Sequence, residues 1–341
     1  MNNTKTNLEN SHVGIPLHGE RRRAFNKLNE AIYLQEIKFK KVSKCFCGES
    51  DFEQLSRFDR FGLPFGTQIC RSCGLITQSI RLEEDSLPYF YDKIYWPLIS
   101  GKKTNYQTNP ESKKYIEFIL ANIEFSKKNL KVFEVGCGAG HKLSLISETL
   151  KNKSYEVSSF GCDFSDEALL KANKLNIRTI KGGMEELKRF GKSDILILSH
   201  VFEHFSDLRK AMEDITSLVS EESFIYIEVP GVNDLKNKKE YSFDYQLYNV
   251  LAHTYNFSLK SLENVLSEGG FKLINGNEYI RSIFQLTNQT RPYLKDSKIY
   301  IESLRNLEEA KLKMKKLNKL KENYLYKYLK NLIKSLLGRS E

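Results

Sequence analysis

The chain reads Leu130-Lys131-Val132-Phe133-Glu134-Val135-Gly136-Cys137-Gly138-Ala139-Gly140-His141 at the point that is most informative about its architecture. An alternating apolar run ends in an acidic residue, three glycines follow at every second position, and Lys142 to Leu150 has the pattern of a helix. Glycine accepts a positive φ and has no Cβ, so a nucleotide-like ligand can lie against the main chain where the strand ends. The pattern predicts a strand, a ligand-binding turn and a helix, with a purely structural tight turn as the alternative.

The spacing of these glycines indicates which ligand to expect. A dinucleotide-binding turn usually has its third glycine three residues after the second, whereas here it follows after two. The order Glu134-x-Gly136-x-Gly138-x-Gly140 resembles motif I of the class I S-adenosylmethionine (SAM)-dependent methyltransferases, whose glycines face the methionine part of the cofactor. This resemblance implies an α/β, Rossmann-like sheet of seven strands, SAM as the cofactor and methyl transfer as the activity.

The alternation of strands and helices continues after the glycines. Ser158 to Asp163 is predicted to be the second strand of the core, and Ser165 to Leu175 the helix that follows it. An acid at the end of a second strand can accept both hydrogen bonds from a ribose diol, which makes Asp163 a candidate. Helix capping is its alternative role, although Ser165 is better placed for that. The family's pattern in this segment is matched by Gly161, Asp163, Ser165, Ala168 and Leu169.

Further cofactor contacts follow from the resemblance alone. The loop Gly182-Gly183-Met184-Glu185 corresponds to the loop that lies beside the adenine in the family. The resemblance therefore implies a cofactor site at the ends of the first four core strands, made of Glu134, Gly136, Gly138, Gly140, Asp163, Phe164, Gly183, Met184 and Ser199.

A fourth strand, Asp194 to Ser199, runs directly into His200-Val201-Phe202-Glu203-His204. This order places ionisable groups at the carboxyl edge of the sheet, where open α/β folds bind their ligands. His-x-x-Glu-His also suggests a metal site, but the inverted zincin pattern needs its own helix and a distant third ligand. The block instead resembles the segment after strand four in bacterial class I methyltransferases.

Histidine is suited to removing a proton from a methyl acceptor, because its ordinary pKa lies near 6.5. Three histidines are expected in loops at the carboxyl edge. The candidate bases are, in order of preference, His204, His200 and His253, and Glu203 would orient one of them. A hydrogen-bonded structural role is the alternative for each. A hydroxyl and an enolisable carbon need the same kind of base, so O- and C-methylation remain open.

Two cysteine pairs precede the glycine stretch. Cys45-Phe46-Cys47-Gly48 and Cys70-Arg71-Ser72-Cys73-Gly74 are separated by 22 residues. Two thiolates from each of two turns can form a tetrahedral Cys₄ zinc site, and the glycines allow main-chain amides to point at the sulfurs. Because no open position is indicated, Cys45, Cys47, Cys70 and Cys73 predict a structural zinc ion. Four unrelated buried thiols are the alternative.

The segments outside the core give other signals. Glu20 to Val42 predicts an amphipathic helix, and Gly101 to Pro110 predicts a linker. The aromatic segment from Ser86 to Trp96 either covers the active site or packs the domains together. Ile299 to Leu337 predicts a long basic helix that dimerises, lies on an anionic membrane surface or packs on its own domain.

These signals divide the chain into an N-terminal extension and helix (1–44), a zinc-binding module with the aromatic segment (45–104), a methyltransferase domain (105–290) and a basic C-terminal helical tail (291–341).

The formal net charge is +10, and residues 302–341 hold nine Lys and two Arg against five Glu. The basic excess is therefore not spread along a nucleic-acid groove. No run approaches about 18 apolar residues, and no apolar leader segment begins the chain, which predicts a cytoplasmic protein.

The resemblance covers residues 45–290, and family members with both parts often act in sugar and surface-polysaccharide pathways. We therefore expect a SAM-dependent methyltransferase that acts on a hydroxyl or carbon of a sugar, free or linked to a nucleotide or lipid. Nucleic acid is not expected as a partner; a homodimer and membrane contact by the tail stay open.

Two other classes of function are alternatives. A nucleic-acid methyltransferase would grip RNA with the zinc module and the tail, but no Asn-Pro-Pro-Tyr or Asp-Pro-Pro-Tyr follows strand four. A catalytically silent scaffold would keep the fold for partner binding alone. The intact glycine motif and Asp163 argue against a silent scaffold.

Overall fold

The computed structural model describes residues 14–102, 112–287 and 289–336. Its strands, in chain order, are β1 (Phe39–Lys41), β2 (Phe52–Ser56), β3 (Thr67–Cys70), β4 (Ile76–Gln78), β5 (Ile80–Leu82), β6 (Asn129–Val135), β7 (Glu156–Asp163), β8 (Arg178–Lys181), β9 (Ile195–Ser199), β10 (Phe224–Glu228), β11 (Tyr255–Asn256), β12 (Phe271–Gly276) and β13 (Arg281–Leu286). Its α-helices are α1 (Gly19–Tyr33), α2 (Leu87–Phe90), α3 (Trp96–Ser100), α4 (Ser112–Leu120), α5 (His141–Asn152), α6 (Asp166–Asn173), α7 (Leu208–Leu218), α8 (Tyr245–Tyr248), α9 (Leu259–Glu268), α10 (Ser297–Glu322) and α11 (Tyr324–Leu336).

The largest element is a sheet of seven strands in the order β12-β13-β10-β9-β6-β7-β8. The strands from β10 to β8 in this order are all parallel, whereas β13 runs antiparallel to both β10 and β12. The strand order reverses beside β6, because β7 and β8 extend to one side of it and β9 and β10 to the other. The predicted Rossmann-like α/β sheet is confirmed, and open sheets of this type bind ligands at the reversal point.

Helices cover both faces of this sheet, because its central strands are apolar on both faces. In β9, the side chains of Ile195, Leu196, Ile197 and Leu198 are all fully buried. Ile195 and Ile197 lie in the core cluster that contains α4 and α5. Leu196 and Leu198 lie in the cluster that contains α7 and α9. The continuous apolar run predicted for this strand therefore serves two separate cores.

A second sheet joins the N-terminal part of the chain to the seven-stranded core. It has four strands in the order β11-β4-β3-β2, and β11 comes from the segment between β10 and α9. Tyr255 of β11 pairs with Thr77, and the side-chain amide of Gln78 donates to the carbonyl oxygen of Leu251 at 2.7 Å. Helices α1, α2 and α3 pack against residues 250–252 of the same segment. The two parts of the chain thus share both a sheet and a core.

Two predicted helices differ from the observed ones. The helix predicted over Glu20 to Val42 ends at Tyr33, because Gln35 takes a left-handed φ of 60° and β1 then pairs with β5. The single helix predicted over Ile299 to Leu337 is interrupted at Asn323, whose ψ of 132° is extended. α10 ends before this residue and α11 begins after it.

The predicted linker over Gly101 to Pro110 lies outside the described residues beyond position 102. The predicted boundary at 104–105 lies outside them as well. The division of the chain into four domains therefore stays a prediction.

Candidate active site

The glycine turn after β6 presents bare main chain at the reversal point of the sheet. Gly136, Gly138 and Gly140 have φ values of 64°, 51° and 77°, a region that side chains disfavour. A Cβ on Gly140 would lie 2.4 Å from Cδ1 of Ile177. The absence of a side chain at Gly140 therefore lets the turn pack closely against Ile177. A Cβ on Gly138 would meet no described atom within 4 Å. Gly138 therefore faces open space that a ligand can fill.

Asp163 ends β7 directly beside this turn. Its Oδ2 accepts a hydrogen bond from the main-chain N–H of Gly138 at 2.9 Å, and its Oδ1 accepts one from the N–H of Ser165 at 2.9 Å. The hydroxyl of Ser165 caps α6 by accepting from the N–H of Ala168, so Asp163 is not the cap. These bonds fix the carboxylate while each oxygen keeps a further lone pair for a ligand. The neighbouring ring of Phe164 is 57% exposed.

A chain of polar side chains crosses the carboxyl ends of the central strands. Nζ of Lys142 donates to Oγ of Ser199 at 2.6 Å, and that hydroxyl donates to Oε2 of Glu228 at 3.1 Å. Nε of Arg281 lies 3.2 Å from Oε1 of Glu228. Glu134 is buried beneath this chain, and burial raises the pKa of its carboxyl to about 8, against a smaller opposite effect of Lys142. The buried acid, the lysine and the hydroxyl together line the inner end of the turn.

The third predicted cofactor segment follows β8. Gly183 precedes a 3₁₀-helix that begins at Met184 and ends at Phe190. The side chain of Met184 is 3% exposed and lies in the core cluster behind the sheet. Only the main chain of Met184 is therefore left to face a ligand at this edge.

Three histidines converge on one buried carboxylate at the end of β9. Oε1 of Glu203 lies 3.6 Å from Nδ1 of His200, 3.8 Å from Nε2 of His204 and 3.9 Å from Nε2 of His253. The Glu203 side chain is 1% exposed, and neither of its oxygens has a hydrogen-bond partner within the described part of the chain. A buried carboxylate without donors is costly, so this group requires a cation or a donor from outside.

The hydrogen bonds of His204 define which of its nitrogens is free. Its Nδ1 lies 2.9 Å from the carbonyl oxygen of Ala252 and 3.1 Å from the hydroxyl oxygen of Tyr91. Because a carbonyl oxygen only accepts, the ring proton resides on Nδ1, and Nε2 carries the lone pair beside Glu203. Burial lowers the pKa of His204, and it lowers that of His253 further, with a smaller effect of the neighbouring ring. Both rings are therefore neutral at pH 7.

The predicted aromatic segment forms one wall of this cluster. Residues Tyr91–Tyr95 form a π-helical turn between α2 and α3, and such turns are frequent at functional sites. The rings of Tyr91 and Tyr95 lie edge-on to His204, with centroids 6.0 Å and 5.8 Å away. The sequence left two roles open for this segment, and the structure combines them: it packs the two parts together and also covers the histidines.

Comparison with known proteins identifies the chemistry of this region. Residues 106–275 match the methyltransferase domain family. The protein is a SAM-dependent methyltransferase. The predicted activity and the predicted cofactor SAM are thereby confirmed. None of the curated proteins is similar enough in sequence to match this methyltransferase.

Solved structures similar to the methyltransferase extend over its core. They include a protein from Pyrococcus horikoshii (16% identity, 57% of this chain and 98% of that chain, TM-score 0.42), an O-methyltransferase family 2 protein from Planctomyces limnophilus in complex with apigenin (16%, 52% and 57%, 0.41) and a TehB-like SAM-dependent methyltransferase from Corynebacterium glutamicum (12%, 59% and 99%, 0.36). These similarities concern the fold alone.

The cysteine pairs of the methyltransferase meet in one cluster away from the histidines. Sγ of Cys45 lies 3.5 Å from Sγ of Cys73, and Sγ of Cys47 lies 3.6 Å from Sγ of Cys70. All four sulfurs lie within 4.8 Å of one another. A tetrahedral zinc ion with bonds of about 2.3 Å needs sulfurs about 3.8 Å apart, so the donor set and its spacing fit zinc. Hydrogen bonds from the Cys45 and Cys73 thiols lower the pKa of Cys70.

Glu203, His204 and His253 form a second group of ligand-type atoms within 4.8 Å of one another. Their separations of 3.8 Å and 3.9 Å from Oε1 of Glu203 exceed the spacing of about 3.3 Å expected for ligands of a tetrahedral zinc ion. Nδ1 of His204 is bonded to Ala252, which leaves Nε2 unprotonated. The geometry favours a proton-handling role for this group over a metal site.

The structure of the methyltransferase brings the glycine turn, Asp163 and the three histidines to one edge of the sheet and adds other residues there. Lys142, Glu228 and Tyr91 were not singled out from the sequence. Lys142 had a local signal, because it is the second residue of the helix that begins after the glycine turn. Glu228 and Tyr91 reach the site only through the sheet order and through packing of the N-terminal part, for which the sequence has no local signal.

Proposed function

We propose that this methyltransferase transfers the methyl group of SAM to a hydroxyl oxygen or an enolisable carbon of a sugar or sugar-containing metabolite in surface-polysaccharide biosynthesis. The observation that carries the proposal is the group of three histidines around the buried carboxylate of Glu203. It adjoins the glycine turn, since Cγ2 of Val201 would lie 2.9 Å from a Cβ on Gly136. An acceptor that must lose a proton needs a base at this place. The sugar class rests on the resemblance of residues 45–290 to sugar methyltransferases.

The proposed cofactor site uses the residues at the ends of β6, β7, β8 and β9. SAM, when bound, supplies a methyl group on a positively charged sulfur, which an acceptor displaces in line. The open space before Gly138 accommodates it, and Asp163 accepts hydrogen bonds from the ribose hydroxyls. The remaining members of the proposed set are Glu134, Gly136, Gly140, Phe164, Gly183, Met184 and Ser199.

His204 is the proposed general base. Its unprotonated Nε2 takes the acceptor proton while the acceptor atom forms its bond to the methyl carbon and the carbon–sulfur bond breaks. The imidazolium that results lies 3.8 Å from Oε1 of Glu203, which stabilises the new positive charge in a buried setting. His200 and His253 remain the second and third candidates for this role.

The four cysteines are proposed to hold a structural zinc ion. They close the turn that precedes β2 and the turn that follows β3. All four ligand positions would be filled by protein, which leaves no position for substrate. The zinc ion therefore stabilises the fold and takes no part in methyl transfer.

Nothing observed in the described residues favours the alternative of a nucleic-acid methyltransferase over a sugar methyltransferase, and the polar, tyrosine-lined histidine site suits a small acceptor. The cytoplasmic location and the homodimer expected from the sequence stay predictions.

The test is a methyl-transfer assay with radiolabelled SAM and three acceptor sets: nucleotide-linked sugars, lipid-linked sugars and RNA. We expect label in a sugar set, and we expect His204→Gln to lower kcat at least 100-fold while the Kd for SAM changes less than threefold, because only the transition state needs the base. His18→Gln is the matched control, because His18 is exposed and lies far from His204 in the sequence. Label in RNA alone would refute the sugar proposal, and an unchanged kcat in His204→Gln would refute the base.

A further inference from the structure

The two C-terminal helices differ in how they contact the rest of the protein. The first half of α10 is anchored on the cysteine region: a Cβ on Gly74 would lie 2.6 Å from the main chain of Ile299, and the hydroxyl of Tyr300 donates to Oε2 of Glu53 at 2.6 Å. Ala310 is the last fully buried residue of this helix. From residue 311 to residue 323 all side chains are exposed except those of Met314 and Leu317, which are half-buried. Lys313 still contacts the body, because its Nζ donates to the carbonyl oxygen of Lys236 at 2.9 Å, whereas the described side chains beyond Leu317 are all exposed.

α11 has one apolar face and one basic face. At 100° per residue, Tyr328, Leu329 and Ile333 fall on one side of the helix, and Lys327 and Lys330 fall on the opposite side. The three apolar side chains are 56%, 46% and 53% exposed. Large apolar groups at this exposure on consecutive turns form a face that no other described element covers.

The charge of this segment is almost entirely of one sign. Residues 311–336 contain nine Lys and one Glu. In this segment the exposed large apolar residues of α10, Leu312 and Leu320, lie among these lysines. An exposed apolar face flanked by lysines is the combination that binds at the boundary between lipid headgroups and acyl chains.

We propose that residues 311–336 dock this methyltransferase onto an anionic lipid surface. The apolar face of α11 enters the acyl boundary, and the lysines of α10 and α11 contact the headgroups. Docking is peripheral, because no helix among the described residues is long and apolar enough to cross a membrane. The proposal is independent of which acceptor the enzyme methylates.

The charge pattern argues against a second copy of this chain, and against RNA, as the partner that covers the apolar face of α11. A second copy would bring nine further lysines against the same segment, and like charges at such a density repel. RNA would complement the lysines but leave Leu329 and Ile333 in water, because aliphatic side chains offer no stacking surface for bases. An anionic lipid surface satisfies the apolar face and the basic face together.

The test is co-sedimentation of the full-length protein with vesicles of neutral phosphatidylcholine and with vesicles in which about one third of the lipid is phosphatidylglycerol. We expect binding to the anionic vesicles only, weakened at high salt. We expect about 30-fold weaker binding for the double variant Lys327→Gln/Lys330→Gln, at about fivefold for each charge, and at least tenfold weaker binding for Leu329→Ser/Ile333→Ser. Lys151→Gln/Lys153→Gln, on exposed lysines at the end of α5, is the charge-matched control and should bind as the unsubstituted protein does.

Three outcomes would overturn the proposal. They are equal binding to neutral and anionic vesicles, unchanged binding in the two α11 variants, and a dimer in solution that Leu329→Ser/Ile333→Ser dissociates. Sedimentation of the protein without lipid shows whether it forms such a dimer. The circular dichroism and the SAM affinity of each variant show that it is folded.

Discussion

The main chain positions His200 at the carboxyl edge of the sheet. His200 has a φ of 57°, although it is neither glycine nor asparagine, and its N–H donates to the carbonyl oxygen of Glu228 at 2.7 Å. This bond extends the hydrogen-bonding between β9 and β10 by one residue beyond Ser199. At His200 the backbone then turns away from the sheet. The turn aims Nδ1 of His200 at Glu203 and leaves half of the His200 side chain exposed. Strain of about 1 kcal/mol is thus tolerated at the position where the site opens to solvent.

At the scale of residues, the proposed ribose contact gives the first prediction. Asp163→Ala removes an acceptor of charge-assisted hydrogen bonds and should weaken SAM binding by about 1–3 kcal/mol, measured by calorimetric titration. Asp166→Ala is the control, because Asp166 begins α6 three residues after Asp163 and forms an exposed ion pair with Lys181 at 2.6 Å. Equal affinities of the Asp163→Ala variant and the unsubstituted protein would contradict the ribose assignment.

The buried histidines give a second prediction, on the pH dependence of stability. Burial lowers the pKa of His253 in the folded state below its value of about 6.5 in the unfolded chain, so the unfolded state takes up its proton first as the pH falls. The contribution of neutral His253 to stability is therefore complete above about pH 6.5 and is lost progressively below it. We expect His253→Gln to reduce the loss of unfolding free energy between pH 7.5 and pH 5.5 by about 1 kcal/mol.

Urea unfolding at the two pH values measures this loss. His18→Gln, on an exposed histidine, should leave the loss as large as it is in the unsubstituted protein. If His253→Gln and the unsubstituted protein lose the same free energy, His253 is not buried in its neutral form.

At the scale of elements, the short strands of the N-terminal part depend on the cysteine turns. β2 and β3 pair over only a few residues, with an irregularity between Gln54 and Ser56, and Cys70 is the last residue of β3. The carbonyl oxygen of Cys70 also accepts the N–H of Gly74, which closes the second turn. A metal ion at the cysteines would fix both turns and the ladder between them at once.

The zinc prediction follows from this dependence. Cys70→Ser should abolish stoichiometric zinc, measured by atomic emission on the purified protein, and should speed amide hydrogen exchange in residues 45–75. Cys137→Ser is the control: Cys137 is a buried thiol in the glycine turn, outside the cluster, and its replacement should leave one zinc ion per chain. A Cys70→Ser variant that retains one equivalent of zinc would exclude the Cys₄ site.

At the scale of the whole molecule, the N-terminal part and the methyltransferase core share a sheet and a hydrophobic core. The segment 249–256 supplies β11 to the sheet of the N-terminal part and residues 250–252 to its core, and it also places His253 beside Glu203. Side chains of Arg60 and Asn249 add hydrogen bonds across the same contact. The surroundings of Glu203 and His204 are therefore built from both parts of the chain.

Gln78→Ala tests this coupling. Gln78 is 1% exposed, and its loss leaves the carbonyl oxygen of Leu251 without its side-chain donor, which should lower the unfolding free energy by about 1–3 kcal/mol. Because the two parts are coupled, fluorescence and far-ultraviolet circular dichroism should report one shared transition in urea. Gln54→Ala, on an exposed side chain of β2, is the control. Two separate transitions would show that the parts unfold independently.

The order of strands and helices in the core follows from local patterns in the sequence. The apolar run of β9, the glycine spacing after β6 and the acid that ends β7 each lie within a dozen residues, and each depends on main-chain geometry that those residues set themselves. The family resemblance supplied the seven-stranded sheet and the cofactor. The observed sheet agrees with the first, and the family match supports the second.

The arrangement at the histidines depended on contacts between distant residues. β11 has only two residues, and nothing in Tyr255-Asn256 indicates that it pairs with β4, yet this pairing and the adjacent loop place His253 near Glu203. The bond from Lys142 to Ser199 spans 57 positions in the chain, and the contact of Tyr91 with His204 spans 113. Such pairings are selected by the shared burial of two surfaces, which local periodicity does not encode. The sequence therefore determined the core and its glycine turn, whereas long-range packing determined which side chains surround His204.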